Sequence, residues 1–123
     1  MKNFVSNGVK IAVPINAKRG LESEVAEHFG RANNFLIYDT ETKTFDIYPN
    51  PEIAGETELP PDFLHRQKVE IVIAFSLGPR AFEKFKNYNI KMYKAIKATI
   101  ADNLKKFEDG KLQELKKEDT DIF

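Results

Sequence analysis

The chain has 123 residues, 41% of them hydrophobic, with 19 basic and 19 acidic side chains and no cysteine. A formal net charge of zero gives no field to draw the protein onto nucleic acid or an anionic membrane, so any anion site must be local. Without thiols there are no disulfides, no thiolate nucleophiles and no cysteine-held zinc or iron–sulfur cluster, so metal chemistry falls to His, Asp, Glu or external ligands.

The opening MKNFVSNG has no apolar h-region, and no run approaches the roughly twenty apolar residues of a membrane span, which reads as a cytoplasmic protein. The length suits one domain, 1–123, with its core at about 10–112, a short N-terminal extension and a loosely held charged tail, KKEDTDIF. VKIAVPI, residues 9–15, is a β-rich apolar run expected as a central strand covered on both faces. SEVAEHF reads as a short helix: Ser23 suits the N-cap, Val25 and Phe29 sit four apart, and Gly30 stops it. NFLIYDT and KTFDIYP are strands of a hairpin turning at residues 40–42.

After a Pro- and Gly-rich connection, PDFLHRQ is expected as a short helix behind Pro60 and Pro61, and EIVIAF as a second buried strand. Gly78-Pro79 opens a helix whose apolar stripe is Ala81, Phe82, Phe85 and Tyr88; IKMY is the last strand. Thr99 then caps IADNLKKF, which Gly110 ends. A β-meander followed by alternating helix and strand is an α/β pattern with a mixed sheet, because crossover helices make the later strands parallel.

In such sheets ligands gather beyond the carboxyl ends of the parallel strands, where the loops carrying EHFGRA and SLGPRA are expected to converge. His28 offers an imidazole, the commonest metal-ligating side chain; Gly30 allows close backbone approach, and Arg31 carries a fork of donors for oxyanions. Ser76, Gly78 and the first-turn amides of the next helix make an anion cradle with Arg80 beside it. From the residues alone each has a plainer role as well. His28 also reads as a hydrogen-bonded rim residue, Gly30 as a turn terminator, and Arg31 and Arg80 as solvated side chains or partners of Glu27 and Glu83. His65 reads as surface.

KIAVPI, SEVAEHFGRANNFLIYD, VEIVIAFSLGPRAFEKFKNYNIKMYKA and DNLKKFEDGKL, in this order and spacing, resemble the dinitrogenase iron–molybdenum cofactor biosynthesis family, which includes NifX, NafY and the C-terminal domain of NifB. The resemblance runs from about Lys10 to Leu112, and its most specific element is S-x-V-x-x-H-F-G-R-A, from Ser23 to Ala32. It implies a ribonuclease H-like fold, a five-stranded mixed sheet with helices packed on it. It also implies binding or carriage of the iron–molybdenum cofactor or an iron–sulfur cluster, exchanged with a donor or acceptor protein, with His28 as the metal ligand. Gly30, Arg31, Ser76, Gly78 and Arg80 would surround that cargo.

The chain departs from the family in lacking a cysteine or histidine in the connection at 50–60, and in carrying Asn89 where a glycine usually ends the helix. Asn tolerates the left-handed backbone, so the second change is mild. Two rival functions compete with a carrier. A ribonuclease H-like nuclease needs clustered carboxylates beginning on the first strand, but VKIAVPI has none, leaving Asp39 and Asp62. A phosphate- or nucleotide-binding regulatory module could use SLGPRA, without a P-loop or dinucleotide fingerprint to support it.

Overall fold

The computed structural model describes residues 8–120. In chain order they form β1 (Lys10–Ile15), β2 (Asn34–Asp39), β3 (Thr44–Pro49), α1 (Pro60–Arg66), β4 (Ile71–Ala74), α2 (Pro79–Asn87), β5 (Lys91–Lys94) and α3 (Ile100–Glu108). Single 3-10 turns lie at Gly20–Glu22 and Lys117–Asp119. The strands make one mixed sheet ordered β3-β2-β1-β4-β5, with β1–β2 and β2–β3 antiparallel and β1–β4 and β4–β5 parallel.

Side chains of β1 alternate between two apolar layers, as a two-residue period requires. Ile11, Val13 and Ile15 join Ile100 and Leu104 of α3, whereas Ala12 shares a cluster with Phe63 and Leu64 of α1 and Phe82 and Phe85 of α2. So α1 and α2 cover one face of the sheet and α3 the other, which is why β1 reads as continuously hydrophobic.

Local chemistry sets the element ends. The Asp39 carboxylate accepts from the backbone N–H groups of Glu41 and Thr42, closing the hairpin turn, and Lys43 there has φ 60°. Two prolines begin α1, and Gly78 precedes Pro79 at the start of α2. Asn89 adopts φ 61° just after α2, the left-handed position its side chain tolerates. Thr99 accepts from the Asp102 N–H at 3.2 Å to cap α3.

The expected helix over SEVAEHF does not form. Ser23 is a buried backward anchor: its hydroxyl donates to the Ala17 carbonyl and accepts from the Arg19 N–H, so it caps no following helix. The segment's backbone bonds go outward, with Ala26 N–H donating to Pro14 and Ser23 C=O accepting from Ile100 N–H. Val25 packs in the α3 layer and Phe29 in the α1/α2 layer, so the segment crosses the end of the sheet instead of presenting one helical face.

The tail is also tied down further than expected. Leu115 is buried, its N–H donates to Met92, Lys94 N–H donates to Gln113, and Thr120 bridges to Leu77. Residues 121–123 of the expected tail and 1–7 of the N-terminal extension lie outside the described residues.

Candidate functional site

β1, β3 and β4 run in the same direction, so their carboxyl ends share one edge of the sheet. The three connections leaving that edge enclose a groove of about 340 Å³. Phe29 and Gly30 contribute from the loop after β1. Glu52 and Leu59 contribute from the second connection, with Pro60 and Pro61 at the start of α1. Gly78, Arg80, Ala81 and Lys84 contribute from the start of α2.

The loop after β1 is fixed by a few buried groups. Phe29 is 4% exposed and packs against Phe35 at 4.9 Å and edge-on against Phe85 at 5.6 Å between ring centroids. Asn50, fully buried, donates through Nδ2 to the carbonyls of Gly30 and Ala32, and its Oδ1 accepts from the Glu52 N–H. Asn16 Oδ1 accepts from the Asn33 N–H at 3.1 Å. With Phe29 anchored inward, His28 and Gly30 on either side are exposed.

Two glycines meet at this groove without a backbone need for glycine. Neither Gly30 nor Gly78 has a positive φ, and a Cβ on either would touch nothing within 4 Å. Their effect is to leave bare backbone where a ligand can approach closely. The N-cap residue Gly78 has no side chain to cap α2, and Pro79 has no N–H, so the first-turn donors that face the groove belong to Arg80 and Ala81.

Of the expected residues, Gly30, Gly78 and Arg80 line the groove together. His28 stands next to Phe29 on the same loop, its side chain 51% exposed and its Nε2 4.0 Å from the Glu27 carboxylate, too open a pair to fix it. Arg31 is exposed next to Gly30, and Ser76 is half-buried before Leu77; neither lines the groove. Among the described residues Arg31 and Arg80 make no ion pair with Glu27 or Glu83. Also among them, no three His, Asp or Glu side chains gather as a metal site. The acids weighed for a nuclease are apart: Asp39 lies opposite Lys10 at the other end of β1, and Asp62 is bonded to Lys84.

Sequence reasoning missed Asn50, Glu52 and Lys84, and weighed Asp62 only as a nuclease carboxylate or a helix-start charge. Asn50 did carry a signal, an Asn-Pro pair at a strand end. The connection at 50–60 gives the groove a carboxylate, Glu52, instead of a soft ligand. Behind the groove, Asp62 of α1 accepts from Lys84 Nζ at 3.0 and 3.2 Å and from the Tyr88 hydroxyl, while His65 stacks on Tyr88 at 3.9 Å and 8°. The Tyr88 hydrogen bond holds the Asp62 carboxyl below its ordinary range, with Lys84 assisting against desolvation, and the same bond pushes Tyr88 up.

Among the described residues no helix is long and apolar enough to cross a membrane. A family model described as dinitrogenase iron-molybdenum cofactor matches residues 9–110. The uncharacterized protein MJ0580 of Methanocaldococcus jannaschii is 31% identical over 111 residues, covering 85% of this chain and 90% of that one. The Thermotoga protein TM1290, solved by NMR as a candidate NifB protein of the DUF35 family, is 30% identical with TM-score 0.73, covering 87% of this chain and 93% of that one. The apo orange protein of Desulfovibrio gigas shares the fold at TM-score 0.76 and 22% identity, covering 86% of this chain and 92% of its own.

Proposed function

The chain belongs to the dinitrogenase iron–molybdenum cofactor family, and from that premise we propose that it is a small non-enzymatic carrier or accessory protein for an anionic iron–molybdenum or iron–sulfur type cluster. The cluster is cargo, received from or passed to a partner protein in the cytoplasm. The observation that carries this reading is the groove between Gly30 and Gly78, bare of side chains at both glycines and bordered by Arg80 and Lys84. Bare backbone, first-turn helix amides and cationic side chains are what an anionic cluster face requires, and His28 on the adjoining loop would supply an imidazole to iron or molybdenum. One protein ligand at an open rim suits a cargo that must be released. The sheet order β3-β2-β1-β4-β5, three antiparallel strands followed by two parallel additions, supports a ribonuclease H-like assignment of the fold.

The test is anaerobic addition of isolated iron–molybdenum cofactor or a synthetic iron–sulfur cluster, followed by gel filtration with visible and magnetic-resonance spectra. Co-elution of cluster and protein, lost in His28→Ala, is the expected result. Parallel titrations with ATP, phosphate and RNA address the rivals: tight binding of a nucleotide with no cluster bound would make the groove a phosphate module.

A further inference from the structure

We propose that Arg80 and Lys84 form a two-cation subsite for a divalent oxyanion, or for an equivalent anionic face of a larger cargo, with Asp62 as the residue that positions Lys84. The inference rests on the groove reading above. Arg80 and Lys84 lie four apart on α2, hence on one helix face, and both line the groove. Arg80 has no ion pair among the described residues, whereas Lys84 is held by both carboxylate oxygens of Asp62 at 3.0 and 3.2 Å. The Lys84 side chain is nevertheless 34% exposed, within reach of a ligand arriving from the groove.

What makes a transfer of Lys84 feasible is the second donor on Asp62. The Tyr88 hydroxyl donates to Oδ1, the oxygen nearer Lys84, and the His65 ring lies flat on Tyr88 and keeps it in place. When an anion draws Lys84 away, the carboxylate keeps a hydrogen bond and is not left bare. Tyr88 thus eases the release of Lys84, and Asp62 sets how much positive charge the groove offers.

The experiment titrates the full-length chain with sodium molybdate at fixed ionic strength, balanced with sodium chloride, and follows amide and Lys84 resonances by NMR. The chain has four tyrosines and no tryptophan, so the part of the tyrosine absorption change that is lost in Tyr88→Phe reports Tyr88 in the same titration. Resonances of Arg80, Ala81 and Lys84 should move together with the tyrosine signal. Lys84→Met should weaken the apparent affinity roughly two- to fivefold, and Asp62→Asn should tighten it by a similar factor. Tyr88→Phe should weaken it, because Asp62 then keeps Lys84 as its principal partner. That variant supplies the test should Asp62→Asn fold poorly. Unchanged affinity in Lys84→Met, or shifts that avoid α2, would overturn the subsite. A cluster that binds while molybdate leaves Lys84 unmoved would also overturn it, and the carrier reading would stand. Molybdate binding with the expected variant pattern would uphold the subsite even if no cluster binds.

Discussion

Asn50 Nδ2 donates to the Ala32 carbonyl at 2.9 Å, and this bond joins the connection after β3 to the loop that carries His28. The same nitrogen reaches the Gly30 carbonyl at 3.2 Å, in a side chain with no solvent exposure. Asn50→Ala leaves the buried Ala32 carbonyl and the partly buried Gly30 carbonyl without their donor and should cost about 2–4 kcal/mol in urea unfolding. Because the loop then loses its position, cargo binding should fall as well, although Asn50 is no groove-lining residue. Asn50→Asp should be worse at neutral pH, since it sets a carboxylate oxygen against two carbonyls. Equal stability of wild type and Asn50→Ala would mean that the loop is held by Phe29 alone.

Adjacent residues on this loop should respond in opposite ways. Phe29 is buried between Phe35 and Phe85, so Phe29→Ala should destabilise by about 3–5 kcal/mol. His28 is half-exposed and paired only at 4.0 Å, so His28→Ala should change stability by less than about 0.5 kcal/mol. Chemical denaturation of both variants measures the contrast. A loss of several kcal/mol for His28→Ala would return it to a structural role.

These two residues also show what the sequence could and could not reveal. Strands with a two-residue or continuous apolar pattern, and helices begun by Pro60 or Pro79, are local features, and each formed within a residue or two of its expected place. SEVAEHF has a helix-like spacing of Val25 and Phe29, but tertiary bonds to Pro14 and Ile100 override it and send the two side chains to opposite layers. The convergence of Gly30, Gly78 and Arg80 followed from the rule for parallel strand ends. Asn50 and the Asp62–Lys84 pair were hidden because their partners are 18 and 22 residues away, and no local pattern encodes such distances.

Bare glycines at the groove allow a test that separates fold from function. Gly30 has an ordinary backbone and open space at its Cβ position, so Gly30→Leu should fold with stability within about 1 kcal/mol of wild type. The added side chain should nonetheless fill the approach to the backbone and reduce cluster binding by on the order of tenfold, about 1.4 kcal/mol. Thermal unfolding alongside cluster co-elution gives both readings. Undiminished binding in Gly30→Leu would move the cargo elsewhere on the rim.

The clasp between α1 and α2 predicts a defined pH response. Asp62 is held below its ordinary range by Tyr88 and then Lys84, so its folded value lies beneath its unfolded one. A depressed carboxyl stabilises the fold above the unfolded value, and the contribution is lost as pH falls through the folded value. The stability difference between wild type and Asp62→Asn should therefore be constant above about pH 5 and shrink progressively below about pH 4. Tyr88 is pushed up, so its contribution as a neutral donor is present below its unfolded value and is lost as pH rises through the folded one. In an ultraviolet titration Tyr88 should ionise above the ordinary tyrosine value of about 10 and return toward it in Asp62→Asn. An unchanged titration in that variant would break the link between them.

Arg31 and Arg80 should differ in how they act on an anionic cargo. Arg80 lines the groove, whereas Arg31 is exposed on the loop outside it, and neither is neutralised by an ion pair among the described residues. A cation outside the contact acts by long-range attraction, which is screened over about 8–10 Å at physiological salt and changes mainly the association rate. A cation in the contact also makes a charge-assisted hydrogen bond, whose loss is felt in dissociation. Arg31→Gln should thus slow cluster association at low salt and match wild type at high salt. Arg80→Gln should also speed dissociation, by roughly five- to tenfold, at both salt concentrations. Stopped-flow association and dissociation of a synthetic iron–sulfur cluster, each at two ionic strengths, resolves the two effects. If Arg80→Gln loses only the salt-dependent part, Arg80 attracts the cargo without touching it, and the groove between Gly30 and Gly78 is not where the anionic face sits.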